Sequence, residues 1–185
     1  LGYIIKTKFY MKKSKNPLLG TNWKMYKTAE QAKKYTSRFV QLTRELDDVQ
    51  LFLIPPYTCL REVKESLLGS SILLGAQNCH WLDEGACTGE ISPVMLAEIG
   101  VDIVEIGHSE RRTYFSETNE TVSKKVKAAH MHELKPIVCV GERLEQRESG
   151  ITKDVIKDHV VNGLADITEE QMLSTVIAYE PVWAI

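Results

Sequence analysis

The sequence predicts an α/β fold of the (β/α)8 barrel type, with about its first six βα units present. Three observations lead there. Short apolar runs alternate regularly with longer helical patterns from Asn16 onward. Each connection is long enough only for a crossover, so the strands run parallel. Polar side chains collect at the C-terminal ends of many runs, at Asn22, Lys24, Gln77, Asn78, His108, Glu142 and Glu180. Barrels of this type build their active sites from several strand ends at that one face. The competing architecture, a doubly wound nucleotide-binding sheet, needs a glycine-rich turn after its first strand, whereas Gly20-Thr21-Asn22-Trp23-Lys24 carries a single glycine.

The elements follow in order. Leu18 to Asn22 is strand-like. Thr28 stands three residues before Gln31 in a capping-box pattern, and Ala32, Tyr35, Phe39, Leu42 and Leu46 recur at helical spacing behind it. Val49 to Ile54 forms a second strand stopped by Pro55-Pro56, and a helix from about Thr58 to Leu68 ends at Gly69. Ile72 to Ala76 is the third strand, and Gln77 to Glu90 is a polar loop long enough to suggest function. Ser92-Pro93 caps a helix that Gly100 terminates. Val101 to Ile106, Pro136 to Val140 and Thr175 to Tyr179 supply strands four to six, with helices at Thr118 to His132 and Thr152 to Leu164 between them. That makes five intervening helices.

Composition narrows the functional classes. A formal net charge of −2 argues against a protein that neutralises nucleic acid or anionic membrane. Lys6, Lys8, Lys12, Lys13 and Lys15 stand at the start with no acid among them, so the body from Asn16 holds 18 basic against 25 acidic residues. No apolar run approaches the roughly 18 to 20 residues that span a bilayer, and the opening residues lack a signal-peptide pattern. A cytoplasmic protein is expected. Cys59, Cys79, Cys87 and Cys139 show no Cys-x-x-Cys pair and read as inert thiols rather than a metal or redox site. His130 and His132 end a helix with no carboxylate or third ligand at metal spacing, and His159 stands alone on a helix. No metal is expected. Met11-Lys12-Lys13 resembles a natural start, so residues 1–10 read as a doubtful leader and 11–185 as the partial barrel domain.

Chemistry centres on two residues. Glu180 closes the sixth strand between Tyr179 and Trp183, where desolvation would raise its basicity; a strand-end carboxylate taken alone is more often a solvated rim group. His108 follows Gly107, and a short helical turn begun at Ser109-Glu110-Arg111 would disfavour imidazolium; without that context a structural histidine is as good a reading. Lys24 offers a fixed positive charge at the same mouth, or a plain surface lysine. Glu110 and Arg111 read equally well as a rim ion pair of little energetic weight.

Six segments together go further. Gly20 to Met25, Gly75 to Asn78, Thr88 to Pro93, Ile106 to Arg112, Cys139 to Glu142 and Ala178 to Trp183 resemble the successive signature blocks of the triosephosphate isomerase family, in order, from about residue 17 to the last residue. The resemblance implies a TIM barrel and the enediol chemistry known for that family, a glutamate base beside a neutral histidine under a closing loop. On that resemblance Glu180 is the base, His108 the electrophile, Lys24 the cation that stabilises negative charge and draws in the phosphorylated sugar, and Asn22 a donor to the same oxygens. Glu110 adjusts the lysine, while Ser109, Cys139 and Glu142 support the site. Trp183 opens the lid, and Thr88 in the 77–90 loop reaches toward the partner in a homodimer. The chemistry needs a base, an electrophile and exclusion of water, and no cofactor.

Thr21, Tyr26, His80-Trp81 and the segment Asp102 to Glu105 depart from the usual glycolytic pattern. They resemble a side branch that isomerises a tetrulose phosphate, which stands as the alternative to the three-carbon substrate. An inactive partial-barrel remnant is the rival from a different class, opposed by the presence of Asn22, Lys24, His108 and Glu180 together. With two βα units short of a barrel, the first and last strands are expected to be exposed parallel edges.

Overall fold

The computed structural model describes residues 16–185; the basic opening segment and the leader lie outside the described residues. Six strands, β1 (Leu18–Asn22), β2 (Gln50–Ile54), β3 (Leu73–Ala76), β4 (Ile103–Ile106), β5 (Lys135–Val140) and β6 (Val176–Tyr179), form one sheet in the order β1-β2-β3-β4-β5-β6. Every neighbouring pair is parallel. Sequential order with parallel pairing is a barrel wall, since a doubly wound sheet would reverse its order partway.

Between the strands run α1 (Ala29–Thr43), α2 (Leu60–Ser66), α3 (Pro93–Ile99), α4 (Ser109–Tyr114), α5 (Asn119–Met131), α6 (Leu144–Glu148), α7 (Thr152–Gly163) and α8 (Glu169–Ser174). The start signals work as the sequence implies: Thr28 and Gln31 close a capping box, Ser92 caps α3 with Pro93 in its first turn, and Gly100 ends it in the left-handed conformation. Among the described residues, eight α-helices replace the five helices expected. The additions, α4, α6 and α8, are five or six residues long, and α6 and α8 bury no residue, so neither has an apolar stripe to betray it.

Strand alternation sorts the core into two faces. Leu53, Leu74, Val104, Ile106 and Val138 meet the helices in the main cluster. Burying each such side chain contributes about 2 kcal/mol relative to leaving it exposed. Ile54, Ile103 and Ile137, flanked by Phe52, Leu73, Val176 and Ala178, form a smaller cluster on the concave face. By the same alternation Glu105 and Cys139 lie on that concave face, and Asn22, in register with Ile54, joins them.

The edges differ from the interior. β1 and β6 keep Leu19, Ile177 and Tyr179 exposed, whereas all four residues of β4 are buried. The expected stripe of α1 is split accordingly: Ala32 and Thr36 are buried and Phe39 is packed, but Tyr35, Leu42 and Leu46 are exposed.

Candidate active site

The polar residues at the C-terminal strand ends converge. Gly107, with φ +78°, turns the chain out of β4 in a backbone conformation that glycine adopts without strain. Arg112 donates from Nε to the Gly107 carbonyl at 2.9 Å and braces that turn. His108 follows as the N-cap of α4, only 8 % exposed, and its Nδ1 accepts the Glu110 backbone N–H at 3.1 Å. Its Nε2 lies 3.2 Å from Glu180 Oε2. Glu180 Oε1 also accepts the Ser109 backbone N–H at 2.6 Å, and Ser109 Oγ is 3.3 Å from Oε2. The short turn expected after His108 is therefore α4.

Across the mouth, Lys24 Nζ contacts Glu110 Oε1 at 2.7 Å, and this hydrogen bond raises the lysine's pKa against the opposing effect of burial. Glu110 therefore pairs with Lys24 rather than with Arg111, which turns instead toward Glu117. Lys24 has φ +51°, a conformation that costs a residue with a side chain of order 1–3 kcal/mol. Two hydrogen bonds hold it there: its N–H donates to Asn22 Oδ1 at 2.6 Å, and its carbonyl accepts from Gln77 Nε2 at 2.8 Å.

Beneath this ring lie three buried groups. Asn22 Nδ2 donates to Glu105 Oε2, which commits one hydrogen of the amide expected to face substrate. Burial first, and then the charge of Glu180, push the Glu105 carboxyl up to about 7. Cys139 is buried, and burial together with the charges of Glu105 and Glu180 pushes its thiol up, so it stays protonated. Glu142 is wholly buried; burial opposes its charge, but hydrogen bonds from Trp183 Nε1 at 2.9 Å and Tyr179 OH at 3.0 Å hold its carboxyl below the ordinary range. It anchors the Val182–Ala184 turn, where the Val182 N–H donates to the Glu142 carbonyl.

A cleft of about 380 Å³ opens beside this cluster, lined by Ser109, Cys139, Gly141, Arg143, His159 and Glu180. A second, of about 330 Å³, lies at the opposite strand ends near Lys64 and Asp102, away from His108 and Glu180. Thr88 is apart from the cluster, exposed on the 77–90 loop. In that loop His80 stacks on Trp81, and Asp83 Oδ1 meets His132 Nε2 at 2.7 Å. His132 therefore has a carboxylate partner that local spacing did not disclose. His159 is not alone either, since its Nδ1 faces the Gly141 N–H at 3.4 Å.

Glu105 is the site residue that motif spacing missed. Its signal was an acid inside an otherwise apolar strand, two positions after a residue of the concave face.

A parallel βα wall whose titratable side chains meet at the C-terminal strand ends defines a partial TIM barrel with an enzyme-like site. The triosephosphate isomerase family model matches residues 17–185, and the chain belongs to that family of isomerases. It is 51 % identical to a triosephosphate isomerase of Carboxydothermus hydrogenoformans over 171 residues, 92 % of this chain and 68 % of the relative. It is also 51 % identical to an L-erythrulose-1-phosphate isomerase of Brucella abortus over 173 residues, 90 % of this chain and 66 % of that protein. The crystal structure of triosephosphate isomerase from Bartonella henselae superposes with a TM-score of 0.82 at 39 % identity, covering 91 % of this chain and 69 % of the other. The chain thus spans about two thirds of the length of these relatives. Among the described residues, no helix is long and apolar enough to cross a membrane.

Proposed function

We propose that these residues serve an isomerase that interconverts dihydroxyacetone phosphate and glyceraldehyde 3-phosphate through an enediol. The observation that carries this reading is the His108 ring held between the Glu110 N–H and the Glu180 carboxylate. Because Nδ1 accepts, Nε2 is the nitrogen that presents a hydrogen.

Glu180 takes a proton from the carbon next to the carbonyl, and the electron pair of that C–H bond becomes the C=C bond of an enediolate. The carbonyl π pair moves onto its oxygen, which receives a hydrogen bond from His108 Nε2 and faces the charge of Lys24. The proton then returns from Glu180 to the neighbouring carbon while a hydroxyl proton shifts between the two oxygens. Nothing is oxidised or reduced overall. Ser109 holds the carboxylate before substrate arrives, and Glu110 holds the lysine. Cys139 and Glu142 support the strand ends, and the 77–90 loop with Thr88 is the proposed homodimer contact.

A second reading keeps the mechanism and changes the substrate to a tetrulose phosphate. It is favoured by the equal identity to the Brucella abortus protein, together with Thr21, Tyr26 and Glu105. In that substrate a hydroxymethyl group replaces one hydrogen on the reacting carbon, so the same base and electrophile suffice. Comparing kcat/KM on glyceraldehyde 3-phosphate and on a tetrulose phosphate, in a complete barrel carrying these residues, decides between them. Preference for the three-carbon sugar is expected; a preference of about a hundredfold for the other, equivalent to about 2.7 kcal/mol, reverses the assignment.

A further inference from the structure

We infer that Glu105 is a positioning residue whose carboxyl fixes the orientation of the Asn22 amide, and through that amide the backbone of Lys24. The inference rests on the reading of Lys24 as the cation that meets the substrate.

The geometry is a chain of two links. Asn22 Nδ2 donates to Glu105 Oε2, and Asn22 Oδ1 accepts the Lys24 N–H at 2.6 Å. An asparagine amide has one accepting and one donating end. Turned over, it would set its NH2 against the Lys24 N–H, where two donors meet, and its oxygen against an ionised Glu105, where two acceptors meet. Glu105 therefore selects the orientation in which the amide supports Lys24. The selection matters because Lys24 is held in the left-handed region, from which its Nζ reaches Glu110. Protonated, Glu105 keeps a carbonyl oxygen for the Asn22 NH2, while the Lys24 N–H, a donor only, still holds the amide in this orientation.

Position supports the same conclusion. Glu105 follows Ile103 on the concave face, where an apolar side chain would pack at no electrostatic cost. The charged and titratable groups that act on it are Glu180, Lys24 and Glu110, and its own charge acts on Cys139. A carboxyl beneath these groups has a structural cost that the Asn22 contact accounts for.

The test compares Glu105→Met with Glu105→Gln in a complete barrel. Gln retains an acceptor for Asn22, and Met does not. Glu105→Met is expected to lower kcat/KM by about tenfold to a hundredfold, mainly through KM, and to shift the Lys24 backbone amide resonance in ¹⁵N NMR. Glu105→Gln should keep both near the parent. Asn22→Ala, which cuts the next link, should move the Lys24 resonance as Met does. An unmoved Lys24 resonance in Glu105→Met, or a Gln variant as impaired as the Met variant, overturns the inference. Absent turnover of both sugars by the parent would defeat the functional reading instead, while the resonance comparison still decides the role of Glu105.

Discussion

His108 Nε2 stands 3.2 Å from Glu180 Oε2, although the two residues come from different strand ends. The contact exists because Gly107 turns the chain sharply and α4 begins at once, so the ring is pinned at Nδ1 by a backbone N–H and aimed by its other nitrogen. Glu180 is held in parallel by the Ser109 N–H.

Replacing Glu180 by Gln separates holding from basicity. The amide oxygen still accepts from Ser109, but no proton acceptor of suitable strength remains. Turnover in a complete barrel should fall by about 10²–10⁴, with the melting temperature nearly unchanged. Parent-like kcat in this variant would remove Glu180 from the role of base.

Gly141 sets where Glu180 sits. A Cβ at this position would come 1.8 Å from the Glu180 carbonyl oxygen and 2.7 Å from its carbonyl carbon. The obstacle is backbone, tied by the Glu180 N–H to Val140 and by the Val182 N–H to Glu142, so it has no side chain to swing aside. Gly141→Ala should cost about 1–3 kcal/mol in overpacking and displace the carboxylate enough to lower kcat by about a hundredfold. Urea unfolding and steady-state kinetics measure the two effects; if neither changes, Gly141 does not set the position of Glu180.

The exposed strands make a simpler prediction. Among the described residues, β1 and β6 are the edges of the sheet, and they present Leu19, Ile177 and Tyr179. A polypeptide of residues 16–185 made alone should associate and lack turnover. A monodisperse, active preparation by light scattering and assay would contradict this.

Much of the fold was readable because its signals are local. Thr28 with Gln31, Ser92-Pro93 and Gly100 mark helix ends through bonds within four residues, and each works as the spacing implies. The short helices α6 and α8 escaped because they bury nothing, although Thr168 and Gln171 form a capping box of the same kind. In the site, His108, Glu180 and Lys24 were visible as polar residues at strand ends. Of what joins them, the Glu110 contact to Lys24 was implied by the family resemblance alone, and the Glu105 contact to Asn22 was not read at all; each spans more than 80 residues of chain. Such partners follow from register and strand alternation, which apolar runs fix only approximately.

A buried ion pair ties α5 to the residue just before its cap. Lys125 Nζ bonds to Glu117 and, at 2.9 Å, to Asn78 Oδ1, and both charged side chains are almost fully buried. Lys125→Met would leave the buried Glu117 carboxylate with only Arg111, whose Nε stands 3.6 Å away without a hydrogen bond, at a cost of about 3–5 kcal/mol. Adding Glu117→Leu removes the stranded charge, so the double variant should be more stable than the single one. Denaturant titration of parent, single and double variants gives the comparison, and a double variant no better than the single would mean the pair is not the source of the loss.

Glu105 gives stability a pH dependence of unusual sign. Its carboxyl titrates near 7 in the folded protein against an ordinary value of 4.5, because burial and Glu180 favour the neutral form. As pH rises above about 4.5 the unfolded chain releases this proton first, so folding stability falls until the folded protein releases it near 7, and stays level above. At 1.36 kcal/mol per unit the loss is roughly 3 kcal/mol. Glu142 does not mask it. Its carboxyl is held below the ordinary range, so the stability it contributes is complete above its unfolded value and disappears only as pH falls through the folded one. Glu105→Gln should therefore gain stability relative to the parent between about pH 5 and pH 8, with most of the gain reached by pH 7. Urea unfolding of both proteins across that interval measures the gain, and parallel curves would show that Glu105 titrates as an ordinary carboxylate.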